Sequence, residues 1–151
     1  MFKGNVEMRK KICIVFVLLV LISILTGCTG GVPTTPGIPV NEEARIKSVI
    51  NEYFLAVNNK NWNLARSYCV YGGERYYATS QMQSLVNSYY AYCSVVTVNF
   101  IPNIINVYVT GNYAQAYLYY YGVVTACGYS YSDGYYTTYI LQKIGNSWKI
   151  S

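Results

Sequence analysis

Two short turn signals constrain most of what this chain can fold into. Gly111-Asn112 and Asp133-Gly134 each stand between runs of alternating apolar residues, the pattern of a two-residue β-hairpin turn. If Thr110 pairs with Tyr113, Val109 faces Ala114, Val107 faces Ala116 and Ile105 faces Leu118. If Ser132 pairs with Tyr135, Ala126 faces Leu141 and Val124 faces Lys143. Both registers set Ala114, Ala116, Leu118, Val124, Ala126 and Leu141 on one side of one sheet, an agreement that a one-residue slip would destroy. Upstream, Val96, Val98 and Phe100 alternate on one parity and Ile105, Val107 and Val109 on the other, so a bulge or turn near Pro102-Asn103 is expected to absorb the shift. Gly145-Asn146 then leads into a short last strand carrying Trp148 and Ile150. The second half of the chain is therefore expected to be a long antiparallel meander.

Ahead of Ser94 the period is helical. Ile46, Val49, Ile50, Tyr53, Phe54 and Val57 recur at the spacing of one helix face, with Asn41 as N-cap and Glu42 and Glu43 in the first turn. After a break at Asn58-Asn59-Lys60-Asn61, a second short helix is expected from Trp62 to about Val70, stopped by Gly72-Gly73. A third is expected to start near Thr79 or Ser80 and to bury Met82, Leu85, Val86, Tyr89 and Cys93.

The N-terminal region says where the chain works. Lys10-Lys11 lead into the apolar run Ile12 to Leu25, too short to span a bilayer comfortably, which ends in Leu25-Thr26-Gly27-Cys28. This resembles the signal of prokaryotic lipoproteins, whose lipobox reads Leu, a small residue, Gly or Ala, then Cys. The resemblance implies that residues 1–27 are removed and that Cys28 carries the lipid, tying the chain to the cell membrane on its extracytoplasmic side. Two acyl chains, at about 0.8 kcal/mol per buried methylene, anchor durably where one would not. Residues 28–40 carry prolines and glycines that permit neither helix nor strand interior, a tether reaching on the order of 40 Å at ~3.3 Å per residue. Residues 41–151 form one domain, long enough to close a single core. Of the formal charge of +5, only about +2 lies after residue 27, and those bases cluster on no predicted face, which argues against nucleic acid as a partner.

Three helices followed by a meander that closes on Trp148-Lys149-Ile150 resemble the nuclear-transport-factor-2-like superfamily, including its SnoaL-like members, a cone-shaped α+β fold with helices packed on a curved sheet. The matching residues are Tyr53-Phe54-Leu55-Ala56, Asn59-Lys60-Asn61-Trp62-Asn63-Leu64-Ala65, Gly111-Asn112-Tyr113-Ala114-Gln115-Ala116 and Leu141 through Ile150, covering essentially the whole domain. A cystatin-like or other helix-on-sheet unit is the rival architecture. The resemblance implies an apolar pocket in the cone, bounded here by Tyr53, Trp62, Tyr68, Tyr89, Tyr120 and Tyr139, with Glu74 near its mouth. It also implies dimerisation through the outer face of the sheet.

Enzymes of that superfamily generally use Asp, often with His or Tyr, deep in the cone. This chain has no histidine, and its single aspartate, Asp133, falls in an expected hairpin turn, where Asp-Gly is a conformational choice. No carboxylate pair for acid–base work and no metal-ligand spacing is visible, so no catalytic residue, metal or cofactor is expected. The strand register, shifted by one at Pro102, sets Cys127 opposite about Val95 with Cys93 one pair further on, and a Cys93–Cys127 disulfide is the leading expectation. Three buried free thiols, with Cys69, are the alternative.

Tyrosine is the compositional outlier, 19 of 151 residues. Tyr53 falls on the buried helix face; by the hairpin registers Tyr120 and Tyr139 point inward, whereas Tyr108, Tyr117, Tyr119, Tyr121, Tyr129, Tyr131 and Tyr136 share the outer side. Strand propensity explains some of this. A broad exposed aromatic face also makes a contact surface. The expectation is a non-catalytic ligand- or partner-binding module, self-associating as a homodimer through the tyrosine face, with glycan stacking or a small apolar ligand next. A structural envelope protein assembling through that face, or a small hydrolase- or isomerase-type enzyme, are the other readings.

Overall fold

The structure is a computed structural model that describes residues 40–151; the expected signal segment, Cys28 and the tether up to residue 39 lie outside the described residues. Helix α1 (Val40–Asn58) buries Ile46, Ile50, Tyr53, Phe54 and Val57, the face its periodicity predicts. It begins at Val40, so Asn41 falls within the helical span and not ahead of it. Glu42 complements the helix dipole and also reaches the last strand. Its carboxylate accepts hydrogen bonds from Trp148 Nε1 (2.6 Å), Lys143 Nζ (3.1 Å) and Arg45 Nη1 (3.1 Å).

Helix α2 (Trp62–Ser67) is capped by Asn61, whose side chain accepts from Leu64 N at 3.2 Å. It stops short of the expected Val70 because the chain there pairs with the C-terminal strand: Val70 N donates to Ile150 O (2.7 Å) and Ile150 N to Tyr68 O (2.9 Å). Helix α3 (Glu74–Tyr90) is preceded by Gly73 and starts well before the expected Thr79. Apolar periodicity hid its first turn, Glu74-Arg75-Tyr76-Tyr77, which holds no aliphatic residue. Of the side chains expected to be buried on it, Val86 is, while Met82, Leu85 and Tyr89 are half-buried; Thr79 is fully buried.

Four strands, β1 (Val96–Thr110), β2 (Tyr113–Ala126), β3 (Tyr129–Ile144) and β4 (Ser147–Ile150), pair antiparallel in that order. The first hairpin has the register read from Gly111-Asn112, with Val109 opposite Ala114 and Val107 opposite Ala116. The slip falls at Ile105, not at Pro102-Asn103, so that Ile104 faces Leu118 in place of Ile105. Pro102 stays in the ladder opposite Tyr120, which an edge strand tolerates.

The second hairpin differs from the sequence expectation. It turns at Cys127-Gly128, both at positive φ (52° and 78°), and Asp133-Gly134 lies in mid-strand opposite Gly122 and Tyr121. Ala126 therefore pairs with Tyr129, Val124 with Tyr131 and Leu141 with Ala114. Two constraints beyond the local signal account for this. Cys127 is joined to Cys93 (Cα–Cα 4.8 Å), which ties the turn to the segment following α3, a closure across 34 residues that typically stabilises by about 2–4 kcal/mol. Gly134 meets a steric need: a Cβ there would lie 2.0 Å from Tyr119 Oη. The third cysteine of the domain, Cys69, is free and buried.

Gly122 plays the same part on the inner face, where a Cβ would sit 2.5 Å from Phe100 Cε1. Phe100 packs against Phe54 and Tyr120, so its ring has little room to yield. Gly122→Ala is expected to cost about 1–3 kcal/mol, the range for overpacking a core. Denaturant midpoints check it, and an unchanged midpoint would mean that the ring does not lie over Gly122.

Candidate functional site

The curved sheet and the helices enclose an aromatic cluster. Strand parity sends Ala114, Ala116, Leu118 and Tyr120 of β2, with Tyr135, Tyr139 and Leu141 of β3, toward α1. Phe54 lies at the centre of the cluster, with ring centroids 5.4 Å from Tyr53, 5.8 Å from Tyr120, 5.9 Å from Tyr139 and 6.2 Å from Phe100. Rings thus occupy this part of the concave side. Of the expected pocket residues, Tyr53, Tyr120 and Tyr139 are brought together here. Trp62 is buried in the same core, and Tyr89 and Tyr68 pack half-buried against it. Burial and the neighbouring Glu52 push the Tyr68 hydroxyl up. Glu74 is exposed on the first turn of α3.

The neighbour of Glu74 turns inward instead. The Arg75 guanidinium lies 4.3 Å from the Tyr139 ring centroid, a cation–π contact at the core. Sequence reasoning missed it, although Arg75, Thr79, Met82 and Val86 fall at one helical spacing. Burial works against its charge, but the Tyr139, Tyr53 and Tyr120 oxygens more than compensate, and its proton is held more tightly than usual. The same burial pushes the Tyr53, Tyr120 and Tyr139 hydroxyls up, with Arg75 pulling the other way, and the Cys69 thiol to about 11. At neutral pH these groups are protonated. They offer aromatic walls and hydrogen bonds, such as Tyr53 to Thr79 (3.0 Å), in place of a base.

Asp133 is on β3, opposite Gly122, and is not a turn residue. Its strand parity, shared with Tyr131 and Tyr135, places it on the concave side. Its carboxylate accepts from Tyr135 Oη (2.5 Å), Tyr131 Oη (3.0 Å) and Gly134 N (2.7 Å). Those bonds, Tyr135 first, hold its carboxyl below the ordinary value. A depressed folded value means that the contribution to stability is present above the unfolded value near 3.8 and is lost as pH falls through the folded one. Asp133→Asn is therefore expected to flatten part of the acid limb when denaturant midpoint is plotted against pH. Glu42, lowered through Trp148 and Lys143, shapes the same limb, so Glu42→Gln is the matched comparison. An acid limb untouched by Asp133→Asn would contradict the clamp.

The outer face carries Tyr113, Tyr117, Tyr119 and Tyr121 from β2, Tyr108 and Ile101 from β1, and Tyr136 and Ile140 from β3. Tyr136 stacks on Tyr117 (5.8 Å, 14° between planes) and leans on Tyr119 (5.0 Å). Tyr117, Tyr121 and Tyr136 remain 38–61% exposed. Tyr129 and Tyr131 do not belong to this face. With the turn moved to Cys127-Gly128, their parity sends them to the concave side, opposite Ala126 and Val124. Tyr113, 59% exposed, takes a place on the outer face that the sequence reading did not give it.

No protein-family model and no curated protein matches the chain. Solved structures do. Aln2 from a Streptomyces species superimposes with a TM-score of 0.62 at 7% identity, covering 76% of this chain and 89% of that one. A ketosteroid isomerase-like protein from Erwinia carotovora atroseptica gives 0.57 at 16%, covering 74% and 92%. A protein described as a candidate dehydratase from the nuclear-transport-factor-2-like family of Streptomyces avermitilis gives 0.58 at 11%, covering 74% and 93%. Helices followed by a curled four-stranded antiparallel sheet, shared with these proteins over nearly their full length, are the α+β cone fold of nuclear-transport-factor-2-like proteins.

Proposed function

We propose that the chain is a membrane-anchored extracytoplasmic lipoprotein whose cone domain is a non-catalytic binding module, working through the outer tyrosine face of its sheet, with a second copy of the chain as partner. The observation that carries this reading is the set of exposed tyrosines Tyr113, Tyr117, Tyr121 and Tyr136 on one face where water normally meets Thr, Lys and Glu, with Tyr136 stacked on Tyr117. The occupation of part of the concave side by the chain's own rings supports it further. So does the commitment of Asp133 to three hydrogen bonds in a sequence without histidine. Among the described residues no helix is long and apolar enough to cross a membrane, and the anchor rests on the lipobox at Cys28.

A second reading, an isomerase- or dehydratase-type enzyme, draws on the names of two structural neighbours and would use Asp133 between its tyrosines. A substrate-dependent signal lost in Asp133→Asn would favour it. The anchor has its own test. Cys28→Ala is expected to release the protein from membranes or to leave an uncleaved precursor, read by detergent-phase partitioning and the mass of the N-terminal peptide. An unmodified Cys28 in the mature protein would overturn the lipoprotein reading.

A further inference from the structure

Between α2 and the first turn of α3 lies an open cleft of about 360 Å³, lined by Asn63, Arg66, Ser67, Cys69, Tyr71 and Tyr76. That volume is within the usual range of small-molecule sites, about 300–1,000 Å³. None of the lining residues is acidic. Among the described residues the ion pairs are Arg45–Glu42, Lys47–Glu43 and Lys143–Glu42, so the charge of Arg66 is answered by no carboxylate. Its partners are neutral amides: Nη1 donates to Gln83 Oε1 and Nη2 to Asn63 Oδ1, both at 2.6 Å. Two amide oxygens fix the plane of the guanidinium without cancelling its charge, and they use two of its five N–H groups. Lys149 Nζ donates to the backbone oxygen of Ser67, a lining residue, at 2.5 Å, which brings a second cation next to the cleft, and among the described residues it too has no ion pair.

The rest of the lining includes two aromatic rings. Tyr71, 87% exposed, meets the edge of Tyr76 at 5.2 Å, and Tyr76 lies 6.0 Å from the Arg66 guanidinium. A pre-oriented cation beside a flat, water-exposed ring suits a ligand that is anionic at one end and has a broad face of its own. The open shape admits one unit of a longer chain. We propose that this cleft binds an anionic sugar, Arg66 and Lys149 taking its carboxylate or phosphate while the pyranose ring lies on Tyr71. A charge-assisted bidentate contact supplies orientation, and the ring supplies discrimination against other anions. The cleft shares no residue with the outer tyrosine face, so the two sites stand or fall separately.

Calorimetric titration of the full chain in neutral detergent tests it, with galacturonate trisaccharide, glucose 6-phosphate, maltotriose and tri-glutamate as probes. At least one anionic sugar is expected to bind tenfold or more tighter than both maltotriose and tri-glutamate. Which of the two binds better assigns the anion as carboxylate or phosphate. Arg66→Gln is expected to weaken that binding at least tenfold and Tyr71→Ala at least threefold, with the thermal melt of Tyr71→Ala unchanged because that ring is exposed. Equal binding of maltotriose would overturn the anion site, and equal binding of tri-glutamate would overturn the sugar. Wild-type affinity in both variants, or no binding of either anionic sugar at 10 mM, would overturn the proposal outright.

Discussion

Trp148→Ala is expected to destabilise the chain by about 3–5 kcal/mol, the range for removing a large buried aromatic side chain. Trp148 is 2% exposed and stands on a strand of only four residues, so β4 has little else to hold it. Its indole N–H donates to Glu42 in the first turn of α1, while Lys143, its partner on β3, donates to the same carboxylate. One ring therefore joins the start of the first helix to the end of the sheet. Its loss leaves a cavity and removes the shortest of the three hydrogen bonds to the Glu42 carboxylate. Equilibrium denaturation measures it. A loss under about 1 kcal/mol would mean that the last strand does not dock as described.

The second large effect concerns association. The full chain in neutral detergent is expected to dimerise at micromolar concentration, and replacing Tyr117, Tyr119 and Tyr121 together by Ser is expected to leave it monomeric and folded. All three project from β2 away from the helices, so their truncation spares the core. They lie beside Tyr108 on one neighbouring strand and Tyr136 on the other, about 4.8 Å away, so the rings form one patch instead of scattered residues. Burying several rings at the centre of an interface supplies most of the binding energy in typical cases. Sedimentation of wild type and variant reads this. A wild-type monomer at high concentration rejects the dimer, and a triple variant that unfolds shows that the face is part of the folded core.

What could be read from the sequence follows from how local its causes are. The buried face of α1 and the hairpin at Gly111-Asn112 are written in neighbouring residues, and both have the predicted register. The second hairpin is decided at a distance. Asp133-Gly134 carries the stronger local turn signature, but Gly134 is small because Tyr119, on another strand, crosses over it, and Cys127 is held in its turn by a bond to Cys93. That error carried straight into the site. A turn moved by six residues reversed the faces of Tyr129 and Tyr131 and brought Asp133 to the concave side. Arg75 was hidden for a related reason: a helix start without aliphatic residues leaves no apolar period to extend, and a basic residue reads as solvated until a partner ring is seen beneath it.

The most direct test of the tyrosine face is tyrosine nitration followed by peptide mass spectrometry, at concentrations spanning the association midpoint. Tyr71, Tyr77 and Tyr92 are well exposed elsewhere on the domain and serve as internal references. Nitration of Tyr117, Tyr121 and Tyr136 is expected to slow several-fold as the protein is concentrated, while the three references keep their rates. Protection spread equally over both groups, or none at Tyr117, Tyr121 and Tyr136 in a sample that sediments as a dimer, would contradict the account.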